Sequence, residues 1–124
     1  MSVSINVQGS LGNPKTVTLG SSEGDVYAPS GSSFDIVIGI LLCNTSSSAV
    51  ICTLYWSDGS TSYAFWKGSV AANSTTDVGG LPLRLQADGG IGVAVKIRGI
   101  AATGAVVNAT VNYTTISGFG SRGG

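Results

Sequence analysis

The chain has 124 residues, of which only 10% are charged, with six basic and six acidic side chains, a formal net charge of zero and no histidine. A chain of that length makes one domain, and its charge content is far below the roughly 25% of an ordinary soluble domain. Lys15, Lys67, Arg84, Lys96, Arg98 and Arg122 are too dispersed to grip a phosphate backbone, which excludes a nucleic-acid partner.

Catalysis is equally poorly provided for. Serines are many, but without histidine none has a positioned base. Glu23 and Asp25 are the nearest carboxylates to one another and read as a solvated loop, too few oxygens for calcium. Two cysteines without histidine do not complete a zinc site. The expectation is a non-enzyme with no catalytic residue, cofactor, metal or small-molecule substrate. No apolar run reaches the roughly 18 residues of a membrane span, so no membrane partner is expected. The first residues lack a basic start followed by an apolar stretch, so no signal peptide is evident and a reducing compartment follows.

Along the chain, Val3, Ile5 and Val7 alternate with Ser4, Asn6 and Gln8, the pattern of a half-buried strand or of an arm that becomes one on a partner. Residues 9–14 break it, and Val17 and Leu19 suggest a second short strand. Val26 to Ala28 leads into a Pro29-Ser30-Gly31 turn. Phe34, Ile36, Ile38, Ile40 and Leu42 then mark one face of a long strand. Val37, Leu41 and Cys43 make the other face nearly as apolar, which predicts a central strand covered on both sides.

Asn44 to Ser48 is a turn. Cys43 and Cys52 flank it as if across a hairpin connection, close enough for a bridge, although free thiols are the default in a reducing compartment. Asp58-Gly59 signals a two-residue hairpin loop. That loop predicts Trp56 opposite Thr61, Leu54 opposite Tyr63 and Cys52 opposite Phe65 on the core face, leaving Tyr55 and Trp66 on the outer face.

Residues 71–80 form a polar connection with room for a short strand, and Leu81 to Leu85 alternates. Val93, Val95 and Ile97 oppose Ala94, Lys96 and Arg98. The last strand has Val107, Ala109, Val111 and Tyr113 inward and Asn108, Thr110, Asn112 and Thr114 outward. Asn-x-Ser/Thr triplets begin at Asn44, Asn73, Asn108 and Asn112, as chance allows in so Asn-, Ser- and Thr-rich a chain.

No helix-length periodicity occurs. Eight to ten short strands predict an all-β antiparallel sandwich, either jelly-roll or immunoglobulin-like. The division is an N-terminal arm at 1–20, the sandwich at 21–117 and a glycine-rich tail at 118–124. Arm, tail and exposed aromatics make Val3, Ile5, Val7, Tyr55, Trp66 and Phe119 the candidate interface residues.

The segment Tyr27-Ala28-Pro29-Ser30-Gly31, the turn Leu42-Cys43-Asn44-Thr45-Ser46, the strand Thr53-Leu54-Tyr55, the connection Ala72-Asn73-Ser74-Thr75 and the run Leu81 to Leu85 together resemble the small β-sandwich virion proteins of tailed bacteriophages. The resemblance covers about three-quarters of the chain, outside the first 20 residues and the tail. It implies a non-enzymatic particle component, a capsid decoration or cement protein or a neck or tail accessory. Such a protein acts as a homo-oligomer against the major capsid or other virion proteins and resides in the virion after assembly in the host cytoplasm. The alternative is a carbohydrate- or receptor-binding module of a tail fibre or other accessory.

Overall fold

The computed structural model describes residues 10–11, 13–29, 34–79, 83–86 and 95–116. Val3, Ile5, Val7 and Phe119 lie outside them, as does the predicted tail. The described residues form ten strands and no helix: β1 (Ser10–Leu11), β2 (Lys15–Thr18), β3 (Gly24–Tyr27), β4 (Phe34–Asn44), β5 (Val50–Ser57), β6 (Ser62–Val70), β7 (Ser74–Asp77), β8 (Leu83–Gln86), β9 (Lys96–Ala101) and β10 (Val107–Ile116).

They make two antiparallel sheets. In one, β10 and β4 are central, with β1 and β2 in succession along the far side of β10 and β7 and β8 in succession along the far side of β4. The other has the order β3-β9-β5-β6. Taking β1 with β2 and β7 with β8 as single edges leaves eight strand positions. The first pairs with the eighth, the second with the seventh, the third with the sixth and the fourth with the fifth. That is a long antiparallel hairpin rolled into two sheets, the jelly-roll arrangement, which decides between the two topologies the sequence allowed. The β4–β5 connection therefore crosses between sheets and is not a hairpin.

Residues 10–11 and 15–19, which the sequence reading places in the arm, join the sandwich: Ser10–Leu11 pairs with Thr115–Thr114, Lys15–Thr18 pairs with Val111–Asn108, and Leu19 is buried in the core. The core lies between the sheets and includes Val37, Ile40 and Leu42 of β4, Leu54 of β5, Ile97 of β9 and Val111 of β10, each fully buried. Each such side chain contributes about 1.5–3 kcal/mol of transfer free energy. Gly99 sits among them because nothing larger fits: a methyl group there would lie 2.9 Å from Val26, 3.1 Å from Leu54 and 3.3 Å from Leu19.

Two bulges overturn face assignments made from strict alternation. On β4, pairing with β10 jumps from Gly39–Asn112 to Val37–Tyr113. Ile38 is the extra residue, 53% exposed. Phe34 to Leu42 therefore do not share one face. Asp35, Val37, Ile40, Leu42 and Asn44 are buried, while Ile36, Leu41 and Cys43 are half-buried on the outside. Nor is β4 covered on both sides by the described residues, since the second sheet packs on its inner face alone.

On β6, pairing with β5 jumps from Tyr55–Ala64 to Leu54–Trp66 around Phe65. The hairpin tip also sits further along than predicted, with Ser57 opposite Ser62 and Trp56 opposite Tyr63. The Asp58 carboxylate explains the shift. It accepts from the amides of Ser60 and Thr61 at 3.1 and 2.9 Å, and Gly59 takes a left-handed φ of 101°.

Candidate interaction surfaces

The outer face of the six-stranded sheet has an apolar spine on β4, formed by Ile36, Ile38, Leu41 and Cys43. Polar rows flank it. On one side Thr16 bonds Thr110 at 3.0 Å and Thr18 donates to Asn108 at 2.7 Å; on the other stand Thr75 and Asp77. Between the end of β7 and the start of β8, the stretch from Ile38 to Ile40 has, among the described residues, no strand beside it on that edge, and the Val78 amide donates to the Ile40 carbonyl at 3.0 Å. A groove of about 480 Å³ opens there, lined by Ile38, Leu41, Asp77, Asn112 and Tyr113.

The opposite outer face, on the four-stranded sheet, carries the ions. Arg98 contacts Glu23 at 3.1 Å and Asp25 at 3.0 Å, and Lys96 reaches Asp25 at 3.0 Å. Ser62 donates to the same Glu23 carboxylate at 2.6 Å, tying the loop before β3 to β6. Glu23 and Asp25 are thus paired with cations and not merely solvated. Each partly exposed pair contributes about 0–1 kcal/mol, less in high salt. Among the described residues no three metal-ligating side chains gather.

The predicted aromatic pair does not form one surface. Tyr55 is on the outer face, opposite Arg98 and Ala64. Trp66 is opposite the fully buried Leu54 and packs against the core. The bulge at Phe65 is the reason, because one extra residue turns every later side chain of the strand to the other face. Trp66 stays half-buried because β6 is an edge strand. Trp56 and Tyr63, across the hairpin, bring their rings to 5.6 Å, and Tyr63 is 50% exposed.

Two buried polar centres brace these surfaces, and the sequence pattern gave no sign of either. Asp35, inside an apolar run, accepts hydrogen bonds from the hydroxyls of Tyr27 and of Thr115, the latter at 2.8 Å. Burial, then Asp35, pushes the Tyr27 phenol well above its ordinary range. Asn44 is 1% exposed. Its amide nitrogen donates to the carbonyls of Ser48 at 2.8 Å and Val70 at 3.0 Å. Its oxygen accepts from the Ser46 amide and hydroxyl at 2.9 and 2.8 Å. A side chain so enclosed is no glycosylation acceptor in the folded protein. Cys43 and Cys52 belong to different sheets and both are free; burial raises the Cys52 thiol.

No protein-family profile matches the chain, and no curated protein sequence does. A solved structure of Bacillus endospore appendages, described as a novel family of disulfide-linked pili, is similar in fold. It is 18% identical, with 93% of this chain matched to 95% of that chain at a TM-score of 0.50. The likeness shows a common β-sandwich architecture.

Proposed function

We propose that the protein is a non-enzymatic structural subunit that acts packed against copies of itself or against a shell protein. The observation that carries this reading is the apolar spine of β4. Ile36, Ile38, Leu41 and Cys43 lie on the open side of the sheet, in a chain with 10% charged residues. An apolar strip rimmed by Thr and Asn, in a molecule with so little charge to oppose association, is what a subunit interface looks like.

The assembly we assign is a bacteriophage virion, with the protein as a decoration or cement subunit bridging capsid proteins. The sequence resemblance to small phage sandwiches supports this. The similar fold of a pilus protein supports the broader point that such a sandwich serves in ordered, externally displayed polymers. The sugar-binding alternative required Tyr55 and Trp66 side by side as a ring platform, and they occupy opposite faces.

Sedimentation velocity of the purified chain, and of the Leu41→Glu variant, tests the assembly. The native chain is expected to associate reversibly at micromolar concentration. Leu41→Glu should shift the midpoint at least tenfold while leaving the melting temperature within a few degrees. A native chain that stays monomeric throughout would refute the reading. Cryo-electron microscopy of particles from the native source would test the virion assignment.

A further inference from the structure

The strand β6 ends its sheet. Its nine residues pair with β5 on one side and, among the described residues, with no strand on the other. Half its peptide groups therefore point outward, a template for another strand. The outer carbonyl of Val70 is already used, by Asn44, and the bulge at Phe65 interrupts the edge. The free stretch is Trp66 to Ser69. On its inward side lie the half-buried indole of Trp66 and the bare backbone of Gly68; on its outward side lie Lys67 and Ser69.

Residues 1–9 match that stretch. Val3, Ile5 and Val7 alternate with Ser4, Asn6 and Gln8, and no ionisable side chain occurs among them. Pairing along Trp66 to Ser69 would lay the apolar residues beside Trp66 and Gly68 and the polar ones beside Lys67 and Ser69, without burying a charge.

The fold also says whose residues these would be. β6 packs across the sandwich on β4 and β7, whereas β1 and β2 lie at the opposite lateral edge, with β3 beneath β2. Ser10, which follows residues 1–9 directly, pairs with Thr115 at that opposite edge. Reaching the free side of β6 from there takes four strand spacings, about 19 Å, and a step of about 10 Å from one sheet to the other, nearly all of the roughly 30 Å that nine extended residues span, so too little is left to run along β6.

We infer that residues 1–9 of one copy add a strand to β6 of a second copy, along Trp66 to Ser69, with Val3, Ile5 and Val7 against Trp66. Donor and acceptor lie on opposite edges of the sandwich, so the contact is head-to-tail and propagates from copy to copy. This rests on the subunit reading above and names the partner as the chain itself.

Amide hydrogen exchange of the full chain over a range of concentrations, paired with sedimentation, tests it. The comparison is the triple variant Val3→Ser, Ile5→Ser, Val7→Ser, first shown by circular dichroism to melt as the native chain does. The β6 amides of the native chain should exchange at least tenfold more slowly as association sets in, and the variant should lose both protection and association. Protection independent of concentration would mean that the arm folds onto its own copy, and the inference fails. Association without β6 protection, or protection that persists in the variant, would overturn the inference and leave the subunit reading intact. A native chain that stays monomeric would overturn both.

Discussion

The indole of Trp66 lies against Gly68, two residues along the same strand, so closely that a methyl group on Gly68 would stand 2.9 Å from the ring. The ring is held at the sandwich edge by the absence of a side chain beneath it. Gly68→Ala should push the indole outward, with a loss of about 1–3 kcal/mol and a red shift in tryptophan emission. Gly99→Ala, which meets three core side chains instead of one edge ring, should cost at least as much without shifting the emission. Urea denaturation with fluorescence detection checks both.

Asn44 fastens the crossover from β4 to the end of β6. Asn44→Ala leaves the Val70 carbonyl and the Ser46 amide without their partner, which predicts a loss of about 2–3 kcal/mol. Asn44→Asp keeps the acceptor for Ser46 but loses both donated bonds, so it should rescue little. Equilibrium unfolding of the two variants measures the difference.

Tyr27 makes the fold sensitive to alkali. Its phenol is raised above the ordinary value of 10.0, by burial first and by Asp35 second. The unfolded chain releases this proton near that value while the folded chain keeps it, so the contribution is whole below pH 10 and is lost as the pH rises further. Stability should therefore fall above pH 10. In Tyr27→Phe that slope should flatten, while stability at pH 7 drops by about 1–3 kcal/mol because Asp35 loses a donor. Melting temperatures between pH 7 and 11 give both quantities.

Asp58 has the opposite sense. Its carboxyl is held below the ordinary value of 3.8, chiefly by the amides of Thr61 and Ser60. Its contribution is present above that value and disappears as the pH falls through the lower folded one. The β5–β6 turn should loosen only in that acid range. Amide exchange at Ser60 and Thr61 should rise there in the native chain, whereas Asp58→Asn should show no such step.

The sequence was most legible where no bulge intervened. Along β10, Val107, Ala109 and Val111 are buried and Asn108 and Thr110 face outward, as alternation requires. It misled at β6 because Phe65 was inserted without any mark in the composition, whereas on β4 the inserted Ile38 stands beside Gly39, the kind of mid-strand glycine that signals a bulge. Asp58-Gly59 located the hairpin, yet pairing resumes at Ser57 and Ser62 because the aspartate spends its carboxylate inside the turn. Asp35 was hidden for a different reason: its partners are 8 and 80 residues away, and only the rolled topology brings them together. Trp66, read from alternation as outward, packs against the core. The choice of jelly-roll over immunoglobulin-like order is set by which strands cross between sheets, which local pattern does not encode.

The ions of Glu23, Asp25, Lys96 and Arg98 and the bare spine of Ile36, Ile38 and Leu41 lie on opposite broad sides of the slab. The molecule is therefore two-sided in its affinity for solvent. On a droplet, a grid film or a neighbouring shell it should settle in one orientation, greasy side down, leaving a zwitterionic crust facing the medium.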